Sequence, residues 1–133
     1  MTFVDSSIWI SYLRHGEPSI VKPLELLLDQ DEVALSAVVH LELLSGAAQK
    51  SLGVLARLLQ AIPVYYPSKD TFRLAESWVQ KGRRAGNLFG AMDLVIAATA
   101  AERGGTIWSA DGDFVRMARL GWVKLFRDTS PQG

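Results

Sequence analysis

Five carboxylates stand where solubility does not require them. Asp5 closes the strand-forming run Thr2-Phe3-Val4, and Glu42 is the only acid in the apolar stretch 38–44. Asp93 opens the run 94–101, which is apolar almost throughout, and Asp111 and Asp113 follow Thr106-Ile107-Trp108-Ser109. Each has an ordinary use when taken alone: a turn, a helix cap, an acid at a helix N-terminus or a solvated side chain. Together they suggest different chemistry. Carboxylates sharing one cleft repel, and at least one stays protonated unless a cation neutralises the group. There is no cysteine, and neither His15 nor His40 lies in a motif. An oxygen-only ligand set suits Mg²⁺ or Mn²⁺ and not zinc. Such an ion can activate water and stabilise the leaving oxygen of a phosphodiester.

These acids converge only if the elements around them place them on one edge. Phe3 and Val4 favour a strand. Ser6 and Ser7 can cap a helix over 7–15 that ends before Gly16. Pro18 and Pro23 mark a turn and the early part of a helix over 21–28. Residues 33–36 read as a buried strand, 37–45 as a helix, and 50–60 as a helix with Leu52, Leu55, Leu58 and Leu59 on one side. Residues 62–66 read as a strand that Pro63 confines to an edge or a first position. A helix is expected over 70–81 and a loop or frayed helix end over 82–90. A buried helix follows over 92–103 and a strand over 106–109. Asp113 can cap a helix to Leu120, and 123–126 is a last strand. Strands alternate with helices, which predicts an α/β domain around a mostly parallel sheet. If the Asp5 strand is central, Asp5 lies at the edge where such sheets bind ligands.

The chain has 133 residues, 49% of them hydrophobic, enough for one domain with a sizeable core over 1–133. The polar tail, 128–133, is expected to be loose. No apolar run reaches the roughly 18 residues of a membrane span, and the first residues read as a strand and not as a secretory leader. With no cysteine, this fits a cytoplasmic protein without a membrane partner. Net charge is zero, so nothing draws the whole molecule to nucleic acid. Basic residues are nevertheless in excess from Lys81, Arg83 and Arg84 onward. These three stand in or beside a glycine-rich stretch shortly before Asp93 and are candidate contacts for a phosphate group, a solvated helix end being the plain alternative.

The same residues carry a family resemblance. Asp5-Ser6-Ser7, the isolated Glu42, the stretch from Asp93 to Ala100, and Ser109-Ala110-Asp111-Gly112-Asp113-Phe114 resemble the four motifs of PIN-domain ribonucleases. Within these the chain is most similar to the VapC toxins of toxin–antitoxin pairs, over essentially its whole length. The resemblance implies a three-layer α/β/α fold around a sheet of four or five short strands. It implies a Mg²⁺- or Mn²⁺-dependent endoribonuclease in which Asp5, Glu42, Asp93 and Asp111 form the catalytic acids. Asp5, Asp93, Asp111 and Asp113 would be the metal ligands, with Asp111 versus Asp113 as the direct ligand left open. Ser7 and Ser109 match hydroxyl residues that support the acids. The resemblance further implies a homodimer and inhibition by a small antitoxin. Apolar residues in excess of one buried stripe on the helices of Trp9, Tyr12 and Leu13, and of Leu52 to Leu59, point to such interfaces. The partner would lay an amphipathic helix in a groove beside the first helix.

Other functions fit less well. A phosphatase of the haloacid-dehalogenase type needs a second Asp two residues after the first, where Ser7 stands. A receiver domain needs paired acids after its first strand and a Lys after its last, and Lys124 falls inside a strand. A catalytically inactive PIN-like module that only binds RNA or a partner is the remaining alternative, although all four principal acids are present.

Overall fold

A computed structural model describes residues 1–128. The expected loose tail lies outside these residues apart from Asp128. The chain begins with β1 (Thr2–Val4), α1 (Ser6–Arg14), α2 (Pro18–Asp29), β2 (Val33–Ser36), α3 (Ala37–Gly46) and α4 (Gln49–Gln60). It continues with β3 (Val64–Tyr65), α5 (Lys69–Arg84), α6 (Ala91–Glu102), β4 (Thr106–Trp108), α7 (Gly112–Arg119) and β5 (Lys124–Leu125). The strands form one sheet in the order β3-β2-β1-β4-β5, and every pairing is parallel. Helices cover both faces, so β1 and β2 are buried along their whole length.

β1 is the centre of this arrangement. Thr2 and Phe3 pair with Val33 and Ala34 on one side, and with Thr106 and Ile107 on the other. Chain order reverses between β1 and β4, because β2 lies to one side of β1 and β4 to the other. A crevice opens at the carboxyl ends of strands at such a reversal, and ligands bind there in open α/β sheets. The sequence therefore delivers Asp5, one residue past β1, and Ser109, one residue past β4, to the two lips of that crevice.

The core behind it follows from composition. α6 is apolar all round, and Leu94, Val95, Ile96, Ala97, Ala98, Thr99 and Ala100 are all buried. The single hydroxyl among them, Thr99 Oγ1, donates to the Val95 carbonyl at 2.7 Å, so no polar group is stranded. Gly105, just before β4, allows a close approach to the neighbouring strand. A Cβ there would lie 2.8 Å from the Phe3 ring.

The main departures of element boundaries from expectation are at β3, β5, α2, α5 and α7. β3 and β5 are only two residues long, because each is an edge strand with a partner on one side and Pro63 has no N–H to offer. α2 starts at Pro18, earlier than the expected 21, with a proline preset for the first helical turn. α5 continues through Gly82 to Arg84. Gly82 is buried against the chain that follows, where a Cβ would lie 3.3 Å from both the Asn87 carbonyl oxygen and the Phe89 ring. α7 is capped by Asp111 and not by Asp113: the Asp111 side chain accepts from the Asp113 N–H at 2.9 Å.

Candidate acidic site at the carboxyl edge of the sheet

Asp5 occupies the N-cap position of α1, but its carboxylate makes no capping bond. Its backbone carbonyl accepts from Ile8 and Trp9, and its N–H donates to the Trp108 carbonyl at 2.9 Å. The side chain is thus left to point along the crevice, with the residue only 7% exposed. Two hydroxyls hold it there. Ser109 Oγ donates to Asp5 Oδ2 at 2.7 Å, and Ser7 Oγ donates to the same oxygen at 3.2 Å. Ser7 does not cap α1, as its position suggested. Its oxygen instead accepts from the Ala110 N–H at 3.0 Å. Ser109 Oγ accepts from the Asp111 N–H, also at 3.0 Å. The two serines lock the β1–α1 junction to the β4–α7 junction through one carboxylate oxygen.

Asp93 enters from the first turn of α6. Unpaired N–H groups and the helix dipole there favour a negative charge. Its surroundings act in the opposite direction and prevail. Burial, followed by the charges of Asp111, Asp5, Asp113 and Glu42, pushes the Asp93 carboxyl up from 3.8 to about 6. All five acids singled out in the sequence are therefore within electrostatic reach of one group. Glu42, in the middle of α3, is exposed over most of its surface. Burial of part of its carboxyl, and then the charge of Asp5, raises its pKa as well.

The tightest subset is Asp93, Asp111 and Asp113, which can each offer an oxygen within 4.8 Å of the others. Asp5 and Glu42 lie outside that subset and act on it through their charge. Three carboxylates at this spacing fit a hard divalent cation, and nothing in the cluster is a soft or imidazole donor.

The structure does not bring the basic trio into the acid cluster. Lys81, Arg83 and Arg84 are exposed in the last turn of α5, and Arg83 lines a small recess with Phe89 and Leu94. The cation that does reach the acids is Arg116, which pairs with Asp113 across i,i+3. Sequence reading passes over Arg116, although that spacing is one that brings helix side chains together.

Beside the acids lies an apolar groove of about 490 Å³ between α1, α3 and α4. Ile10, Leu13, Leu43, Val54, Leu55 and Leu58 line it, with Arg14 and Lys50 as its cations. Glu42 also lines it, so one side chain belongs to both the groove and the acid site. Of the apolar side chains expected in excess, only Leu13 is exposed, at 47%, while Trp9, Leu55 and Leu59 are buried in the core; Val54, which the sequence reading did not single out, is 74% exposed.

A parallel α/β sheet with carboxylates gathered at its point of strand reversal defines a PIN-like domain. Residues 2–120 match the PIN domain model, and the chain belongs to that family. Ribonuclease VapC19 of Mycobacterium tuberculosis is 31% identical over 101 residues, covering 75% of this chain and 80% of that protein, which places the chain in the VapC branch. Solved structures agree in fold. VapBC2 from Rickettsia felis, bound to a DNA fragment from its promoter, is 19% identical with a TM-score of 0.78, covering 94% of this chain and 96% of that one. FitAcB from Neisseria gonorrhoeae is 25% identical with a TM-score of 0.69, covering 96% and 97%.

Proposed function

We propose that this chain is a Mg²⁺- or Mn²⁺-dependent endoribonuclease, the toxin of a VapBC-type pair. The observation that carries the reading is the convergence of Asp5, Glu42, Asp111 and Asp113 on Asp93 in a chain of the VapC branch. A divalent cation bound there would supply Lewis acidity to the water and to the leaving oxygen. Asp93, Asp111 and Asp113 would hold it together with Asp5, and Glu42 would orient the attacking water. Ser7 and Ser109 fix Asp5 Oδ2, which leaves Oδ1 to face the crevice. Water is the nucleophile, since the chain has no cysteine and neither histidine belongs to a motif.

The groove supports an inhibitory partner. An amphipathic helix of an antitoxin would bury its apolar face on Leu13, Val54 and Leu58. A basic residue at its end would reach Glu42 and oppose cation binding. Among the described residues no helix is long and apolar enough to cross a membrane.

The test is cleavage of RNA by the purified chain with Mg²⁺, with excess chelator, and with Asp5→Asn. Cleavage that needs the cation and is lost in the variant is the expected result. Wild-type RNA binding without cleavage at any Mg²⁺ or Mn²⁺ concentration would instead identify an inactive binding module.

A further inference from the structure

We propose that Arg116 grips a backbone phosphate of the RNA, held ready for it by Asp113 and Phe89. The inference rests on the ribonuclease reading and adds a substrate contact to it. An exposed i,i+3 ion pair on one helix contributes little to stability and needs no functional explanation. Arg116 is more constrained than that. Its Cζ lies 5.7 Å from the centroid of the Phe89 ring, which belongs to the segment leading into α6. Phe89 is itself set edge-on to Trp122 at 5.6 Å, and Trp122 stacks on Trp78 at 4.9 Å. The ring that supports the guanidinium is therefore fixed by a wall of aromatics from α5 and the α7–β5 turn.

A guanidinium carries five N–H donors in a rigid fork. One nitrogen of Arg116 engages Asp113, and a ring face takes up the charge without accepting all the donors. The side chain is 45% exposed, so part of the fork faces solvent beside the acids. A planar fork fixed on two sides, with donors to spare, is prepared for the paired oxygens of a phosphate. It also answers an electrostatic need. RNA is a polyanion and must approach five carboxylates, of which a single divalent cation neutralises only part. Like charges brought close repel, and more strongly in a drier cleft than in water. A guanidinium already paired with Asp113, at the rim of the acids, offsets that repulsion where the phosphate must come.

The experiment measures binding of a labelled single-stranded RNA to the whole chain in excess chelator, where no cleavage occurs, across a series of salt concentrations. Arg116→Gln retains packing on Phe89 but removes the charge. It is expected to weaken binding about tenfold and to reduce the slope of log affinity against log salt by about 0.7, the value for one phosphate on a single strand. Arg116→Lys keeps the charge and is expected to keep the slope while losing part of the affinity. Arg119→Ala, exposed on the same helix, is expected to match wild type. A wild-type slope in Arg116→Gln, or an equal loss of slope in Arg119→Ala, would overturn the proposal. The nuclease reading is scored separately on adding Mg²⁺. A chain that binds through Arg116 and never cleaves defeats that reading alone, and a chain that cleaves with an Arg116-independent slope defeats this one alone.

Discussion

Ser109 uses one hydroxyl in two directions: it donates to Asp5 and accepts from the backbone of Asp111. Removing it leaves both acids in place and takes away what orients them. Ser109→Ala is expected to reduce cleavage about 10- to 100-fold, the range seen when groups that orient metal ligands are lost. The stability cost should be only about 1 kcal/mol, one hydrogen bond. Rates measured alongside urea midpoints separate the two effects, and equal fractional losses of activity and folded protein would show a merely structural serine. Asp93 gives a pH test. Its carboxyl is raised from 3.8 to about 6 in the folded chain, so the native state binds this proton more tightly than the unfolded one does. The associated stability is complete below 3.8 and is lost as pH rises through about 6. In chelator, thermal unfolding of the wild type should occur at lower temperature at pH 7.5 than at pH 5. Asp93→Asn should flatten that difference, and a divalent cation should restore stability at the higher pH. A wild-type profile that Asp93→Asn leaves unchanged would remove Asp93 from the account. These acids stand out in the sequence as candidates because Glu42 interrupts an apolar run, Asp93 opens one, and Asp5, Asp111 and Asp113 follow strand-forming runs. Arg116 was not, because a basic residue on an amphipathic helix has no pattern to break.

At the scale of elements, the sheet depends on a close approach. Gly105→Ala would place a methyl 2.8 Å from the Phe3 ring, in the strand that carries Asp5. Overpacking of this kind costs about 1–3 kcal/mol, and the shift it forces acts on the β1–β4 pairing. The urea midpoint should fall and cleavage should weaken with it. A variant as stable as wild type would mean that Phe3 can move aside freely. Central strands and the buried helix α6 were readable from sequence, since burial on both faces demands continuous apolar runs. Ends were less so. The expected stop at 81 in α5 failed because Gly82 serves packing against Phe89 and not chain reversal. The edge strands were overestimated for a related reason: Ile62 and Val123 are buried beside the sheet but outside the two-residue strands.

For the whole molecule, sequence gave the least. Zero net charge conceals an acid cluster at one edge and an exposed basic turn at the end of α5. The groove is made by three helices meeting, which no local pattern records. Two outcomes belong to this scale. Light scattering of the purified chain should give twice 14.6 kDa, and expression without a partner should arrest growth where Asp5→Asn does not. A folded monomer that is harmless when overexpressed would contradict both. Val54→Asp, in the groove and away from the acid cluster, should leave cleavage intact while weakening inhibition by the antitoxin; full inhibition would move the partner elsewhere. The strand order has one more effect. β4 is inserted beside β1, so Asp5 waits for a serine 104 residues further along the chain. During synthesis Asp5 leaves the ribosome about a hundred residues before Ser109, Asp111 and Asp113. Over that interval the polypeptide has no assembled acid site, and the machine that makes it is built of RNA. A ribonuclease with this topology becomes dangerous only once β4 and the turn after it have been made.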